Sequence, residues 1–198
     1  MADRLSRNAE LVKFFAQAYP GIPRTRLVKF IYMADVLARE YLARPLSTLS
    51  YRRDKYGPYD PAVDDVVEEL IAAGHAEERR EGWGFGAIGG AYKRLYDLHR
   101  PVAFSFSLPE SAVLDYIVTN YVKMGWKEFL NDVVYESPPV KSTPRKGTPL
   151  PMESLDGAGT ARVGFRLDEV LQAEEAGRRG DVVTLSAFMD ELRAQAPA

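Results

Sequence analysis

The spacing of hydrophobic residues changes several times along the chain, and these changes divide it into helical and extended segments. Apolar residues recur at intervals of three and four in five segments, which predict helices over residues 4–19, 25–41, 61–73, 109–122 and 126–135. The apolar stripe of the second segment, which includes Phe30 and Ile31, is wide enough for a central helix that is covered on most sides.

Two regions break the helical period. Residues 49–60 alternate weakly and end in the turn-rich run Gly57-Pro58-Tyr59-Asp60-Pro61. Residues 75–81 and 92–98 flank the glycine-rich stretch 82–90, and this arrangement predicts a β-hairpin with a flexible tip. A helix followed by two strands is the outline of a winged helix. The pattern as a whole predicts a mainly α fold with a small β-hairpin or wing, in the α+β class.

The composition changes after Glu136, which suggests a boundary in the organisation of the chain. Residues 137–160 are rich in proline and glycine, and they predict a linker or extended arm without packed structure. We therefore expect a compact helical domain over residues 1–150, the proline-rich arm over 137–160, and a C-terminal helical appendage over 161–198. The appendage is expected to contain helices over residues 165–176 and 185–194, and it could dock on the domain or hold a partner.

Composition and charge exclude several classes of function. With no cysteine and only two histidines, His75 and His99, the chain lacks the residues of thiolate metal sites and cysteine nucleophiles, and we predict no metal and no cofactor. No catalytic motif is present, so an enzyme is not expected. A formal net charge of −2 disfavours a strongly basic nucleic-acid binder. No apolar stretch approaches the length of a membrane span, and we expect a soluble protein of the cytoplasm.

Basic residues between Pro20 and Asp60 are interleaved with tyrosines near the end of that segment, and they could contact a partner. An ordinary charged surface would explain the same pattern. A second candidate contact is the pair of aromatic residues on the glycine-rich tip, which could instead fold back onto the domain. The predicted partner-binding residues are Tyr51, Arg52, Arg53, Lys55, Tyr56, Tyr59, Trp83 and Phe85.

Asp35 interrupts the most apolar helix of the chain. A carboxylate in this position is expected to be partly covered, and it then needs a hydrogen-bond donor because an unpaired buried charge is costly. Arg52, Lys55 or a tyrosine hydroxyl from the following segment could supply that donor. The simplest interpretation is a structural tie between the helix and the loop after it.

Several motifs occur together in the order found in a known family. The sequence contains KFIYMAD at residues 29–35, YRRDKYGPYD at residues 51–60, and an apolar helix that ends at Gly74. In this order they resemble the Panacea-domain family, the SocA-like antitoxins of toxin–antitoxin systems, and the Tyr-Gly-Pro-Tyr core of residues 56–59 is the most specific part. Residues 134–139 are similar to the end of the last helix of that family.

The resemblance covers about residues 8–150 and implies a helical domain with a small β element. Many relatives have a histidine near the end of the last helix. Because this chain has Tyr135 there, a role carried by that histidine is not transferred. The residues of the resemblance that we expect to shape the domain are Tyr32, Asp35, Gly57, Pro58, Gly74 and Tyr135.

The resemblance also implies a function. Antitoxins of this family neutralise a protein toxin encoded by a neighbouring gene through direct binding, and some relatives are phage-associated, which suggests phage defence. Two alternatives stay open: a winged-helix DNA-binding autoregulator, and a protease adaptor that delivers a bound client for degradation. DNA binding is disfavoured by the acidic helix over residues 61–73. A homodimer is possible through exchange of the C-terminal helices.

Overall fold

The computed structural model describes residues 5–83 and 90–159. Phe85 of the predicted hairpin tip and the predicted helices over residues 165–176 and 185–194 lie outside the described residues. Trp83 is described through its backbone, which ends a strand. The expectations for these parts of the chain therefore stay predictions.

Helices make up about half of the described chain, and each helix predicted before residue 136 is present. The α-helices are α1 (Arg7–Ala18), α2 (Arg24–Leu42), α3 (Ala62–Ala72), α4 (Leu108–Tyr121), α5 (Trp126–Glu128) and α6 (Pro138–Lys141). A π-helix (Phe129–Val134) continues α5, and a 3₁₀-helix (Met152–Leu155) lies near the end. The predicted helix over residues 126–135 thus continues as a π-helix after its first turn.

The strands form two small antiparallel sheets. They are β1 (Ile22–Pro23), β2 (Arg52–Asp54), β3 (Gly57–Tyr59), β4 (Ala76–Trp83) and β5 (Gly90–Asp97). β4 and β5 are the predicted hairpin, and β1 adds to the outer edge of β5 in the order β1-β5-β4. β2 and β3 form a separate short hairpin. The prediction of a mainly α fold with a small β element is confirmed.

Helix α2 is the centre of the fold, as its wide apolar stripe predicts. Phe30, Ile31, Ala34, Leu37 and Ala38 are all buried. Helices α1 and α4, strands β1, β3 and β5, and the 3₁₀-helix all pack against α2. Burial on nearly every side makes its polar residues informative, because each of them needs a partner within the protein.

Glycine ends helix α3 at the predicted place. Gly74 follows the helix with a φ of +70°, in the left-handed region that favours glycine. The amide of His75 donates to the carbonyl of Leu70 over 2.9 Å, and the amide of Gly74 donates to Ile71 over 3.0 Å. These two bonds form a Schellman motif, which turns the chain from α3 into β4.

The proline-rich arm is packed along residues 137–159, in contrast to the extended, unpacked segment that its composition predicts. Leu150, Met152 and Leu155 are buried against the core. The amides of Gly157 and Gly159 donate to the carbonyls of Arg39 and Glu40 at the end of α2, each over 2.9 Å. The carbonyls at the end of α2 need hydrogen-bond partners, and the arm supplies them. These bonds and the three buried apolar side chains hold the arm in place, although its content of proline and glycine predicts an unpacked segment. The proposed division into domain, arm and appendage stays a prediction.

The longest helix, α2, has 19 residues and carries several charged side chains. Within residues 5–83 and 90–159, no helix is both long and apolar enough to cross a membrane.

Candidate functional site

The β2–β3 hairpin presents the predicted basic and aromatic segment. Arg52 pairs with Tyr59, Arg53 with Pro58, and Asp54 with Gly57. The tight turn needs a φ of +92° at Gly57, which favours glycine there.

The proline-rich arm lies beside β2 like a third strand. The amide of Arg53 donates to Thr148 over 2.8 Å, and the amide of Gly147 donates to the carbonyl of Arg53 over 2.7 Å. The amide of Leu150 donates to Tyr51 over 2.9 Å. The hairpin is therefore held on both sides and does not project freely.

A buried lysine supports the hairpin from below. The ammonium group of Lys29 on α2 donates to the carbonyl of Pro58 over 2.7 Å, and Lys29 is only 3% exposed. Burial lowers the pKa of Lys29 to about 8; Arg53 adds to this shift and Asp54 opposes it. A lysine with this pKa is a cation near neutral pH but is costly to keep charged.

Tyr135 forms a wall against the hairpin. The guanidinium carbon of Arg53 lies 4.8 Å from the centroid of the Tyr135 ring. A Cβ atom at Gly57 would lie 3.0 Å from Cε1 of Tyr135 and 3.5 Å from Cε of Lys29. We call Lys29, Arg53, Gly57, Pro58 and Tyr135 the Arg53 pocket. Tyr135 therefore has a contact of its own with the hairpin, in the place where relatives have a histidine nearby.

The outer face of the hairpin is positively charged. Arg52 and Lys55 are exposed, and within the described part of the chain neither forms an ion pair. Tyr56 at the turn is 55% exposed, and the ammonium group of Lys55 lies 5.2 Å from its ring centroid. The one carboxylate of the hairpin, Asp54, lies 3.2 Å from Lys146 of the arm. A bond from the amide of Lys55 and this lysine lower the pKa of Asp54.

Tyr59 connects the hairpin to helix α3 and is only partly exposed. Its hydroxyl donates to Asp64 over 2.5 Å, and this bond raises the pKa of Tyr59 to about 12. Arg24 bridges Asp64, Glu68 and Glu78 at distances of 2.5 to 2.8 Å. The Tyr59 hydroxyl thus has a structural partner in Asp64.

Asp35 forms a closed polar cluster in the core. It accepts bonds from the amides of Leu46 and Ser47 and from the Tyr51 hydroxyl, each over 2.8 Å, and from the hydroxyl of Ser47. We call these four residues the Asp35 cluster. Burial raises the pKa of Asp35, and the hydrogen bonds from Ser47, Tyr51 and Leu46 oppose that shift.

The Asp35 cluster shows which of the predicted donors bonds to Asp35, and it corrects the expectation that Tyr51 contacts a partner. Of the donors predicted for Asp35, the tyrosine hydroxyl is the one that is found, supplied by Tyr51. Neither Arg52 nor Lys55 donates to Asp35 among the described residues. Tyr51 was expected to contact a partner, but it is 3% exposed and its pKa is raised well above the usual value by burial. The need of Asp35 for a donor draws Tyr51 inward, so it is a core residue.

Tyr32 lies between Lys29 and Asp35 along helix α2. Its hydroxyl is 2.8 Å from the hydroxyl of Ser137, which itself donates to Val134 over 2.6 Å, so Tyr32 is the donor of its own bond. Its ring meets that of Tyr51 edge to face, with centroids 5.1 Å apart. Tyr32 thus ties the start of the proline-rich arm to the core.

A groove of about 560 Å³ lies next to the Asp35 cluster. One wall is the loop from Pro45 to Arg52, and the other is formed by Pro149, Leu150 and Glu153. Arg52 thus borders both this groove and the charged face of the hairpin. Within residues 5–83 and 90–159, no group of three or more histidine, aspartate or glutamate side chains is placed to hold a metal ion.

Sequence reasoning missed the role of Lys29. The residue is the first position of the KFIYMAD motif and is not among the predicted site residues. The available signal was the one that singled out Asp35, namely a charged residue inside the apolar stripe of α2, between Leu27 and Phe30. The contact of Arg53 with Tyr135 joins residues 82 positions apart and left no local pattern.

Comparison with known proteins places the chain in a family. The family model described as "Antitoxin SocA-like, Panacea domain" matches residues 27–138, which is more than half of the chain. The matched span includes most of α2, the β2–β3 hairpin and Tyr135, and it is narrower at both ends than the expected 8–150. No curated protein and no solved structure matches the chain. This chain belongs to the family of SocA-like antitoxins with a Panacea domain.

Proposed function

We propose that this protein is a non-enzymatic antitoxin of the cytoplasm, which neutralises a protein toxin encoded by a neighbouring gene through direct binding. Membership of the antitoxin family supports the general role. The observation that carries the proposal is the outer face of the β2–β3 hairpin, where Arg52, Lys55 and Tyr56 are exposed although the whole chain has a formal net charge of −2.

The chemistry of this face suits contact with a protein. Arginine and tyrosine are over-represented among the residues that carry binding energy in protein interfaces. Arg52 and Lys55 would speed the encounter with an acidic surface, since complementary charge raises association rates more than it raises affinity. The packed arm extends the same face with the exposed Arg145 and with Lys146. We therefore propose a toxin with an acidic surface patch.

The remaining predicted contacts stay part of the proposal. Arg53 and Tyr59 are partly exposed beside this face, Trp83 ends strand β4 of a separate hairpin, and Phe85 lies outside the described residues. We propose the β2–β3 face as the primary contact because the backbone of β2 is hydrogen-bonded to β3 on one side and to the proline-rich arm on the other. A fixed backbone loses little conformational entropy on binding.

Co-expression tests the proposal. The neighbouring open reading frame is induced alone and then together with this protein, with growth and co-purification as readouts. We expect growth arrest by the neighbour, rescue by the wild-type protein, and a complex of the two. A harmless neighbour, or rescue without a complex, would contradict direct neutralisation.

Charge reversal locates the contact. We expect Arg52→Glu combined with Lys55→Glu to abolish rescue while the melting temperature changes by less than about 2 °C, because exposed charges contribute little to stability. Arg80→Glu is the matched control, because Arg80 is an exposed cation on β4. Equal rescue by the double variant and by Arg80→Glu would remove the hairpin from the interface.

The acidic outer face of α3 argues against the DNA-binding alternative. Asp64 and Glu68 face outward toward Arg24, and Asp65 and Glu69 are partly or fully exposed on the same helix. If α3 entered a DNA groove, these carboxylates would meet phosphates. Binding to operator DNA that weakens steeply with salt would support that alternative.

A further inference from the structure

The Arg53 pocket holds two cations close to one aromatic ring. The guanidinium of Arg53 stacks on Tyr135, and Nη1 of Arg53 is buried without a hydrogen-bond partner among the described residues. Lys29 lies close to the same ring, since the position of an added Cβ at Gly57 is 3.0 Å from Cε1 of Tyr135 and 3.5 Å from Cε of Lys29. An arginine nitrogen that is buried and unpaired costs free energy and is unusual in a folded protein.

The positive charge of this pocket is not balanced within it. Lys29 has three N–H donors, and its described bond goes to the neutral carbonyl of Pro58. Asp54 is the nearest acidic group that acts on Lys29, and it is also paired with Lys146 at 3.2 Å. Lys29 and Arg53 therefore carry more positive charge than Asp54 balances, and this charge favours the binding of another anion.

We propose that the Arg53 pocket is a receptor for a carboxylate side chain of the toxin, with Arg53 as the binding residue and Lys29 as a second cation behind it. This inference rests on the proposed antitoxin function. Arg53 and Tyr135 are partly exposed while Lys29 is buried, so an entering carboxylate meets the guanidinium first. Glutamate and aspartate are the anionic side chains that a protein partner supplies.

The stacked arginine is suited to this role in a way that its neighbours are not. A guanidinium presents a planar fork of N–H donors that matches the two oxygens of a carboxylate. Stacking on Tyr135 already fixes the orientation of that fork, so less rotamer freedom is lost on binding. Arg52 has no aromatic ring contact among the described residues, and Lys55, although close to the Tyr56 ring, has no planar fork of donors; both contribute through long-range attraction.

A titration without toxin tests the pocket itself. The ¹⁵Nε signals of Arg53 and Arg52 are followed by NMR while sodium acetate replaces sodium chloride at constant ionic strength and pH 7. We expect the Arg53 signal to shift and saturate while the Arg52 signal shifts weakly and without saturation. Parallel, unsaturated shifts of both signals would overturn the proposal, and so would saturation by inorganic phosphate but not by acetate.

The role of Lys29 has a pH readout that a purely structural lysine would lack. Arg53 and Asp54 of β2, the carbonyl of Pro58 and the ring of Tyr135 face its ammonium group. Because burial lowers the pKa of Lys29 to about 8, acetate affinity should fall about threefold or more from pH 7 to pH 9. Lys29→Met should bind acetate more weakly at pH 7 and show no such fall. An unchanged pH dependence in that variant would exclude Lys29 from the pocket.

A toxin-dependent experiment then separates this inference from the proposed function. Arg53→Lys keeps the charge but removes the fork, and we expect at least a tenfold loss of affinity for the toxin. The matched control Arg52→Lys should stay within about twofold. If wild type neutralises the toxin and both variants bind equally well, the receptor is wrong and the antitoxin function stands. If wild type does not bind the neighbour, the function fails, and the acetate titration still decides the pocket.

Discussion

Lys29 and Asp35, two of the buried charged residues of helix α2, lie six residues apart and differ in their surroundings. Asp35 accepts hydrogen bonds from two amides and two hydroxyls, all supplied by residues 46–51. Lys29 donates to the single carbonyl of Pro58 and shares its surroundings with a second cation, Arg53. One charge is matched within the fold, whereas the other is only partly matched.

The different surroundings of Asp35 and Lys29 suit different roles, stability for the first and binding for the second. A carboxylate with four donors has no hydrogen-bonding capacity to offer a partner, and its role is to hold the loop after α2 against the core. The Arg53 pocket keeps unmatched donors next to an exposed basic face. Its cost to the free protein is recovered when an anion binds, because ligand binding to the folded state adds to stability.

The largest expected effect comes from opening the closed cluster. Asp35→Ala removes the acceptor of two amides and two hydroxyls, and we expect the free energy of unfolding to fall by about 4 kcal/mol. Urea denaturation followed by circular dichroism measures this. Ser47→Ala removes one of the donors and should cost about 1 kcal/mol. Equal losses for the two variants would mean that the cluster does not depend on the carboxylate.

A backbone substitution tests how firmly the hairpin is seated against Tyr135. Gly57→Ala forces a side chain to adopt a φ of +92° and brings its Cβ to 3.0 Å from the tyrosine ring, so we expect a loss of about 2 to 3 kcal/mol. Gly147→Ala is the control, because Gly147 has a φ of +82° but no atom within 4 Å of an added Cβ. The difference between the two losses measures the contact with Tyr135, and no difference would show that the contact is loose.

The cost of the buried lysine is measurable through pH. Burial lowers the pKa of Lys29 from 10.5 to about 8, so the unfolded chain binds more protons than the folded protein between these values, and stability rises with pH in that window. From pH 7 to pH 9.5 we expect Lys29 to contribute a gain of about 2 kcal/mol. Denaturant melts of wild type and of Lys29→Met across this range isolate the contribution. Parallel curves would place the pKa of Lys29 near its ordinary value.

Local patterns predicted the elements of the fold well. The wide apolar stripe that includes Phe30 and Ile31 identified the central helix, and Gly74 marked the end of α3 because a left-handed conformation there favours glycine. Composition was misleading for the proline-rich arm. Its packing depends on Leu150 and on hydrogen bonds to the end of α2, which are contacts distant in sequence.

The candidate site was predicted only in part, for the same physical reason. The basic and aromatic segment was visible because its residues are close in sequence, although its hairpin form was not predicted, and Asp35 was visible because a charge stands out in an apolar stripe. The inward position of Tyr51 depends on Asp35, and the position of Arg53 depends on Tyr135. Such pairings are set by the tertiary structure, and a single sequence holds no local trace of them.

The smallest expected effect comes from the residue between the two regions. Tyr32→Phe removes the hydrogen bond to Ser137 but keeps the ring against Tyr51, so we expect a loss of about 1 kcal/mol in the free energy of unfolding. Toxin affinity should be unchanged, because the hydroxyl faces Ser137 in the core. A double-mutant cycle of Tyr32→Phe with Arg53→Lys, read out as toxin affinity, checks this independence. Coupling above about 0.5 kcal/mol would show that the Asp35 cluster and the Arg53 pocket act through Tyr32 as one network, since distant, independent sites add within that limit.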